Sequence, residues 1–255
     1  MSQPLKYDVD NCERDLIQPA IQGVRSVMEA SLESGVKRVV LTSSFGAVLD
    51  MARPQTTPYV YSSTDWNPTT VEEAVAPGST PHDAYRASKT IAEKEAWSFV
   101  RKEMPQFDLV TLCPSMVFGP LTDAPRSKRD FNESNRLLWR VASGGPSEPL
   151  PPCGFNFWID VRDLAEIHVQ ALLNANCGGK RYVPVSPEPF TYQMASEIMS
   201  DAFPSLRGKV STGIQEVKTH IQVDMDDVRA DFPNLIFRSI EETVVDFVKQ
   251  VEGML

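Results

Sequence analysis

The chain has 255 residues, 42% hydrophobic and 23% charged, with a net charge of −9 at pH 7. That is the balance of a soluble globular protein with one large domain or two small ones. The acidic surplus argues against a nucleic-acid partner and leaves small molecules as the expected ones.

Residues Asn11 to Ser34 predict a long helix. Leu16, Ile17, Ala20, Ile21, Val24, Val27 and Met28 keep one apolar face. Pro19 should kink or break it, and Gly35 should end it. Val36 to Leu41 reads as a buried parallel strand running into Thr42-Ser43-Ser44. Ligands bind at the carboxyl ends of such strands, so Ser44 is either a hydrogen-bond donor to a substrate oxygen or a capping residue in a turn.

Asp50 to Asp83, rich in Pro, Thr, Ser and Asp, reads as irregular, and Tyr85 to Val100 as a helix. Phe107 to Cys113 is the next strand, Pro114 to Pro120 a turn, and Leu121 to Asp130 a loop. Phe131 to Ser143 reads as a helix and the proline-rich Gly144 to Gly154 as irregular. A strand at Phe155 to Ile159 then leads into a helix from Asp160 to about Asn174. Arg181 to Val185 is a strand, and Tyr192 to Phe203 and Ile240 to Val251 are helices. Alternating helices and strands define a parallel α/β sheet.

The four cysteines and three histidines form no metal-ligand or disulfide pattern, so no metal site is expected. No apolar run has membrane length, and no secretory leader opens the sequence. A cytoplasmic protein with reduced thiols is expected. Asn132-Glu133-Ser134 matches a glycosylation sequon by accident, and His168 reads as a hydrogen-bonded core residue.

Tyr85-Arg86-Ala87-Ser88-Lys89 carries the chemistry. Residues four apart share a helix face, so both polar tips can enter one pocket. A free phenol titrates near ~10, and a neighbouring ammonium favours the phenolate and brings it into acid–base range. The same spacing also suits two surface neighbours.

Five stretches, in order, carry a family resemblance: Gln18 to Val24, Arg38 to Ser44, Tyr85 to Lys89, Cys113 to Pro120, and Phe157 to His168 with its Asp160-Val161-Arg162-Asp163 core. Together they resemble an extended short-chain dehydrogenase/reductase, in the branch of dihydroflavonol-4-reductase, cinnamoyl-CoA reductase and fungal ketoreductases. The resemblance implies an incomplete Rossmann-like, doubly wound parallel sheet with a smaller substrate-binding lobe. Residues 1–117 would be the C-terminal part of the nucleotide-binding domain. Residues 118–255 would be mainly the substrate lobe, with 155–174 returning to the sheet.

The resemblance further implies NADP (or NAD) as cofactor and reduction of a ketone or aldehyde on a small apolar or aromatic substrate. Ser44 would hydrogen-bond the carbonyl oxygen, Tyr85 would protonate it, and Lys89 would lower the Tyr85 pKa and hold the nicotinamide ribose. Thr42, Ser43, Pro114, Ser115, Met116 and Val117 would complete the cofactor side. Phe45, Met116, Phe118 and Phe157 would shape the substrate pocket, although such aromatics equally suit a core. Asp160 to Asp163 would tie strand to helix.

The family opens with a strand, a glycine-rich turn and a helix that cradle the pyrophosphate. The sequence contains no Gly-x-x-Gly-x-x-Gly, and Met1-Ser2-Gln3-Pro4 aligns with the end of the family's fourth strand. About 80 residues of the family pattern are then absent, most of one mononucleotide-binding half. The strand at Val36 to Leu41 would become an open sheet edge, suited to a homodimer. Alternatives to the reductase are cofactor-independent acid–base chemistry (isomerisation, dehydration or cyclisation) and a non-catalytic partner protein.

Overall fold

The computed structural model describes residues 11–54 and 56–255. Met1 to Pro4, aligned above with a strand end, lie outside them. In chain order the elements are α1 (Gln18–Ser34), β1 (Arg38–Thr42), β2 (Tyr59–Tyr61), α2 (Val71–Ala74), α3 (Pro81–Glu103), β3 (Asp108–Leu112), β4 (Met116–Phe118), α4 (Glu133–Ser143), β5 (Trp158–Asp160), α5 (Val161–Leu173), β6 (Arg181–Tyr182), α6 (Tyr192–Ala202), β7 (Ile221–Val223), α7 (Asp226–Asp231) and α8 (Ile240–Val251). The chain divides into two units. The first runs to Ser115 and takes in Ile167–Pro184 and Gln222–Pro233. The second comprises Met116–Glu166, Val185–Ile221 and Asn234–Leu255, so the segment 155–174 is shared between them.

In the first unit β1, β3 and β6 form a parallel sheet in that order, with Val40 opposite Val110 and Thr111 opposite Arg181. Among the described residues β1 pairs only with β3 and stands at the edge. A π-helical turn, Glu13–Ile17, leads into α1, with Pro19 in the first turn of the regular helix. A missing N–H costs nothing there, so the expected break takes the form of a change in winding. Gly35 adopts φ 69° and ends the helix in the left-handed conformation that glycine accepts without penalty. Met28 of α1, Ala96 of α3, and Phe107 and Leu109 at β3 build the core between these two helices and the sheet.

α3 begins four residues before the expected start. Thr80 accepts from the Asp83 amide while the Asp83 carboxylate accepts from that of Thr80, and Pro81 occupies the first turn. The stretch read as irregular before it contains β2 and α2, and the Asp224 amide donates to the Tyr61 carbonyl at 2.7 Å.

In the second unit the segment read as a turn is β4. It pairs in parallel with β5, Val117 opposite Ile159. The core gathers Phe118, Trp158 and Phe190 around α4, α6 and α8. Asp160, with its side chain fully enclosed, accepts from Arg162 through both carboxylate oxygens and from the Thr243 hydroxyl at 2.7 Å. Arg162 also donates to Asp246 at 2.8 Å, and Arg238 pairs with Asp163. This stretch therefore ties strand to helix, as expected from the sequence, and in addition reaches α8 through Asp246 and Thr243.

Gly119 follows β4 with φ 123°, and a Cβ there would stand 3.1 Å from Val161 Cγ1 and 3.2 Å from Asp160 Oδ2. Gly119→Ala is therefore expected to destabilise the protein by about 1–3 kcal/mol, read as a lower Tm. An unchanged Tm would show that the loop and the Asp160 network yield freely.

Candidate active site

Three residues of the first unit form the candidate site. β1 delivers Thr42, Ser43 and Ser44 at its carboxyl end, and α3 carries Tyr85 and Lys89 one turn apart. The Phe45 amide donates to the Pro114 carbonyl at 2.8 Å, tying the β1 exit to the β3 exit. The Gly46 amide donates to Ser44 Oγ at 3.1 Å. A hydroxyl has one proton. With its oxygen accepting from the backbone, the Ser44 O–H remains available to donate.

Ser44 acts on the Tyr85 phenol, favouring its ionised form, so the structure brings the expected serine and tyrosine together. Lys89 Nζ lies 5.8 Å from the centroid of the Tyr85 ring. The expected acidification of the phenol by Lys89 is not what dominates. Burial pushes the Tyr85 pKa up, opposed only by the Ser44 bond, and burial pushes the Lys89 ammonium down. Two neighbouring groups withdrawn from water both favour their neutral forms. A phenol that holds its proton is suited to act as an acid.

Among the described residues Lys89 has no hydrogen bond or carboxylate partner. Its burial without a counter-charge leaves donor capacity for hydroxyl or anionic groups of a bound molecule, which fits the ribose of a nicotinamide nucleotide.

The other expected site residues are placed as follows. The Ser43 side chain is buried and donates to Glu93 Oε2 at 2.6 Å, and Thr42 Oγ1 lies 2.7 Å from His168 Nε2. His168 is half-buried instead of in the core. Pro114 and Ser115 belong to the first unit, and Met116 and Val117 to the second. Phe45 is enclosed against the Tyr61 ring at 5.6 Å, and Phe118 against Phe190 at 4.6 Å. Met116 and Phe157 are half-buried. A cavity of about 700 Å³ is lined by Trp66, Lys94, Trp97 and Arg101 among others, and none of the three central residues borders it.

Sequence reasoning missed Glu93 and Arg181. Glu93 lies one further turn along α3 from Lys89 and pairs with Arg181 of β6 at 2.8 Å. Glu93 at i+4 from Lys89 was a visible signal, but its partner lies 88 residues away.

No group of His, Cys, Asp and Glu among the described residues could hold a metal ion, and the four cysteines are free. No helix among them is long and apolar enough to cross a membrane.

A parallel sheet presenting a serine at a strand's carboxyl end to a Tyr-x-x-x-Lys helix is the arrangement of the NAD(P)-dependent short-chain dehydrogenases/reductases. The chain belongs to the NAD dependent epimerase/dehydratase family, whose model matches residues 10–183. It is 32% identical to the NADPH-dependent methylglyoxal reductase GRE2 of Saccharomyces cerevisiae, over 98% of this chain and 74% of that protein. Ketoreductase azaE of Aspergillus niger is 33% identical over 82% of this chain and 60% of its own length. The crystal structure of Gre2 from Candida albicans in complex with NADPH superposes with a TM-score of 0.89 at 28% identity, covering 99% of this chain and 75% of that one.

Proposed function

We propose that the protein reduces the carbonyl of a small ketone or aldehyde with NADPH, using Ser44, Tyr85 and Lys89. The observation that carries this reading is Ser44 acting on the Tyr85 phenol, with the Lys89 ammonium 5.8 Å from the centroid of the Tyr85 ring and without a hydrogen-bond or carboxylate partner among the described residues. Ser44, oriented by the Gly46 amide, donates to the substrate oxygen. Tyr85 protonates that oxygen as negative charge develops on it. Lys89 binds the ribose hydroxyls, and its charge stabilises the phenolate left behind. Pro114 and Ser115 are the nicotinamide-side residues of this reading. Of the residues expected on the substrate side, Phe45 and Phe118 are spent on core packing. When bound, the nicotinamide supplies the hydride that no protein side chain can.

The test is isotopic. With NADPH deuterated at the transferring position and a small α-dicarbonyl or aryl ketone, the alcohol product is expected to carry deuterium on the former carbonyl carbon. A product formed without label would favour cofactor-independent acid–base chemistry at the same residues, and the reductase reading would fall.

A further inference from the structure

Resting on that reading, we propose that Glu93 and Arg181 are positioning residues, which set the distance between the Ser44 hydroxyl and the Tyr85 phenol through Ser43. The argument is one of connection. Tyr85, Lys89 and Glu93 follow one another at four-residue spacing along α3, on one side of the helix. Ser44 sits on a different element, beyond the end of β1. A hydroxyl pair joining two elements holds its length only if something fixes one element against the other.

Glu93 makes that connection. Its Oε2 accepts the Ser43 hydroxyl at 2.6 Å, and Ser43 immediately precedes Ser44. Oε1 accepts from Arg181 Nε at 2.8 Å and Oε2 from Nη2 at 3.3 Å. Cys113 at the exit of β3 places its Sγ 3.4 Å from the same Oε2. One carboxylate thus gathers the carboxyl ends of β1 and β3 and the β6 arginine onto the helix that carries the acid.

Arg181 extends the clamp. Its Nη1 donates to the carbonyls of Ser63 and Asp65, and its Nη2 reaches the Ala47 carbonyl at 3.3 Å. Ala47 follows the Ser44–Gly46 turn, so the arginine holds that turn from its far side. Trp66 covers the guanidinium, with its ring centroid 3.9 Å from Cζ. Neither Glu93 nor Arg181 belongs to the expected substrate or cofactor contacts. Their burial in a fully bonded pair gives the rigid support that a precisely spaced donor–acid couple needs.

The test uses the full-length enzyme with NADPH and a carbonyl substrate, comparing Ser43→Ala, Ser43→Thr and Glu93→Gln with Tyr85→Phe. Ser43→Ala removes the hydroxyl link and leaves the ion pair. It is expected to lower kcat roughly 10- to 100-fold with KM little changed, as for a small misplacement of reacting groups. Ser43→Thr, which restores a hydroxyl, is expected to recover most of that loss. Glu93→Gln is expected to lower kcat at least as far, and to shift the Tyr85 ultraviolet titration, read as the difference from Tyr85→Phe. If Tyr85→Phe abolishes turnover while Ser43→Ala keeps the wild-type kcat and Tyr85 titration, the positioning role is wrong and the reductase reading stands. If Tyr85→Phe retains full turnover, the reductase mechanism itself fails, and the positioning role with it. Should Glu93→Gln not fold, Ser43→Ala and its threonine rescue decide alone.

Discussion

Tyr85→Phe is expected to lower kcat/KM for carbonyl reduction by about 10²–10⁴-fold, the range for loss of a general acid, with Tm and fold retained. The phenol is half-buried and its hydroxyl meets Ser44, so the substitution removes one oxygen and leaves the ring in place. The pH dependence follows from the direction of the shift. Burial raises the Tyr85 pKa above 10.0, so the proton donor is fully loaded at neutral pH. Reduction should therefore be flat through neutrality and fall as the pH rises through the raised pKa. The reverse oxidation, which needs the phenolate as base, should rise over the same interval. In Tyr85→Phe both limbs should disappear. A variant that kept the alkaline fall would assign it to another group, with Lys89 the first candidate, because burial lowers its pKa from 10.5.

Much of this site was legible in the sequence because it is local. The spacing of Tyr85 and Lys89 needs only a helix, and Gly35 and the apolar stripes of α1 and α8 mark their elements without reference to distant residues. The early start of α3 was also readable, since Thr80-Pro81 followed by Asp83 is a capping pattern, but the proline-rich stretch before it obscured the signal. β4 escaped because three strand residues lie between Pro114 and Gly119, and those flanking residues look like a turn. β7 and α7 are too short to show a period. The direction of each hydroxyl was not legible at all. Consecutive side chains at the end of β1 diverge, sending Thr42 to His168, Ser43 to Glu93 and Ser44 to Tyr85. Those destinations are set by residues 41 to 126 positions away, which no local pattern encodes.

Replacing either partner of the Glu93–Arg181 pair alone is expected to cost about 3–5 kcal/mol of stability, because it leaves the other charge buried without compensation. The side chains are 1% and 7% exposed, so water cannot take the place of the lost partner. Arg181→Met should be the more instructive change. Burial works against ionisation of Glu93, but its bonds to Arg181 and Ser43 outweigh burial and hold its pKa below 4.5. Without the arginine the burial penalty remains and the carboxyl should take up a proton on folding. The sign of the pH dependence should then reverse. In the wild type the contribution of Glu93 is complete above pH 4.5 and is lost as the pH falls through the lower folded-state pKa. In Arg181→Met the folded state would bind the proton more tightly than the unfolded chain, so stability should rise as the pH is lowered toward that of an ordinary glutamate. The double variant Glu93→Gln with Arg181→Met carries no buried charge and should recover a large part of the loss, giving a favourable coupling in the cycle. Chemical denaturation of the four proteins across acidic to neutral pH measures all of this. Additive losses with a common pH slope would show that water reaches the pair and that the three strands are held to α3 by apolar packing alone.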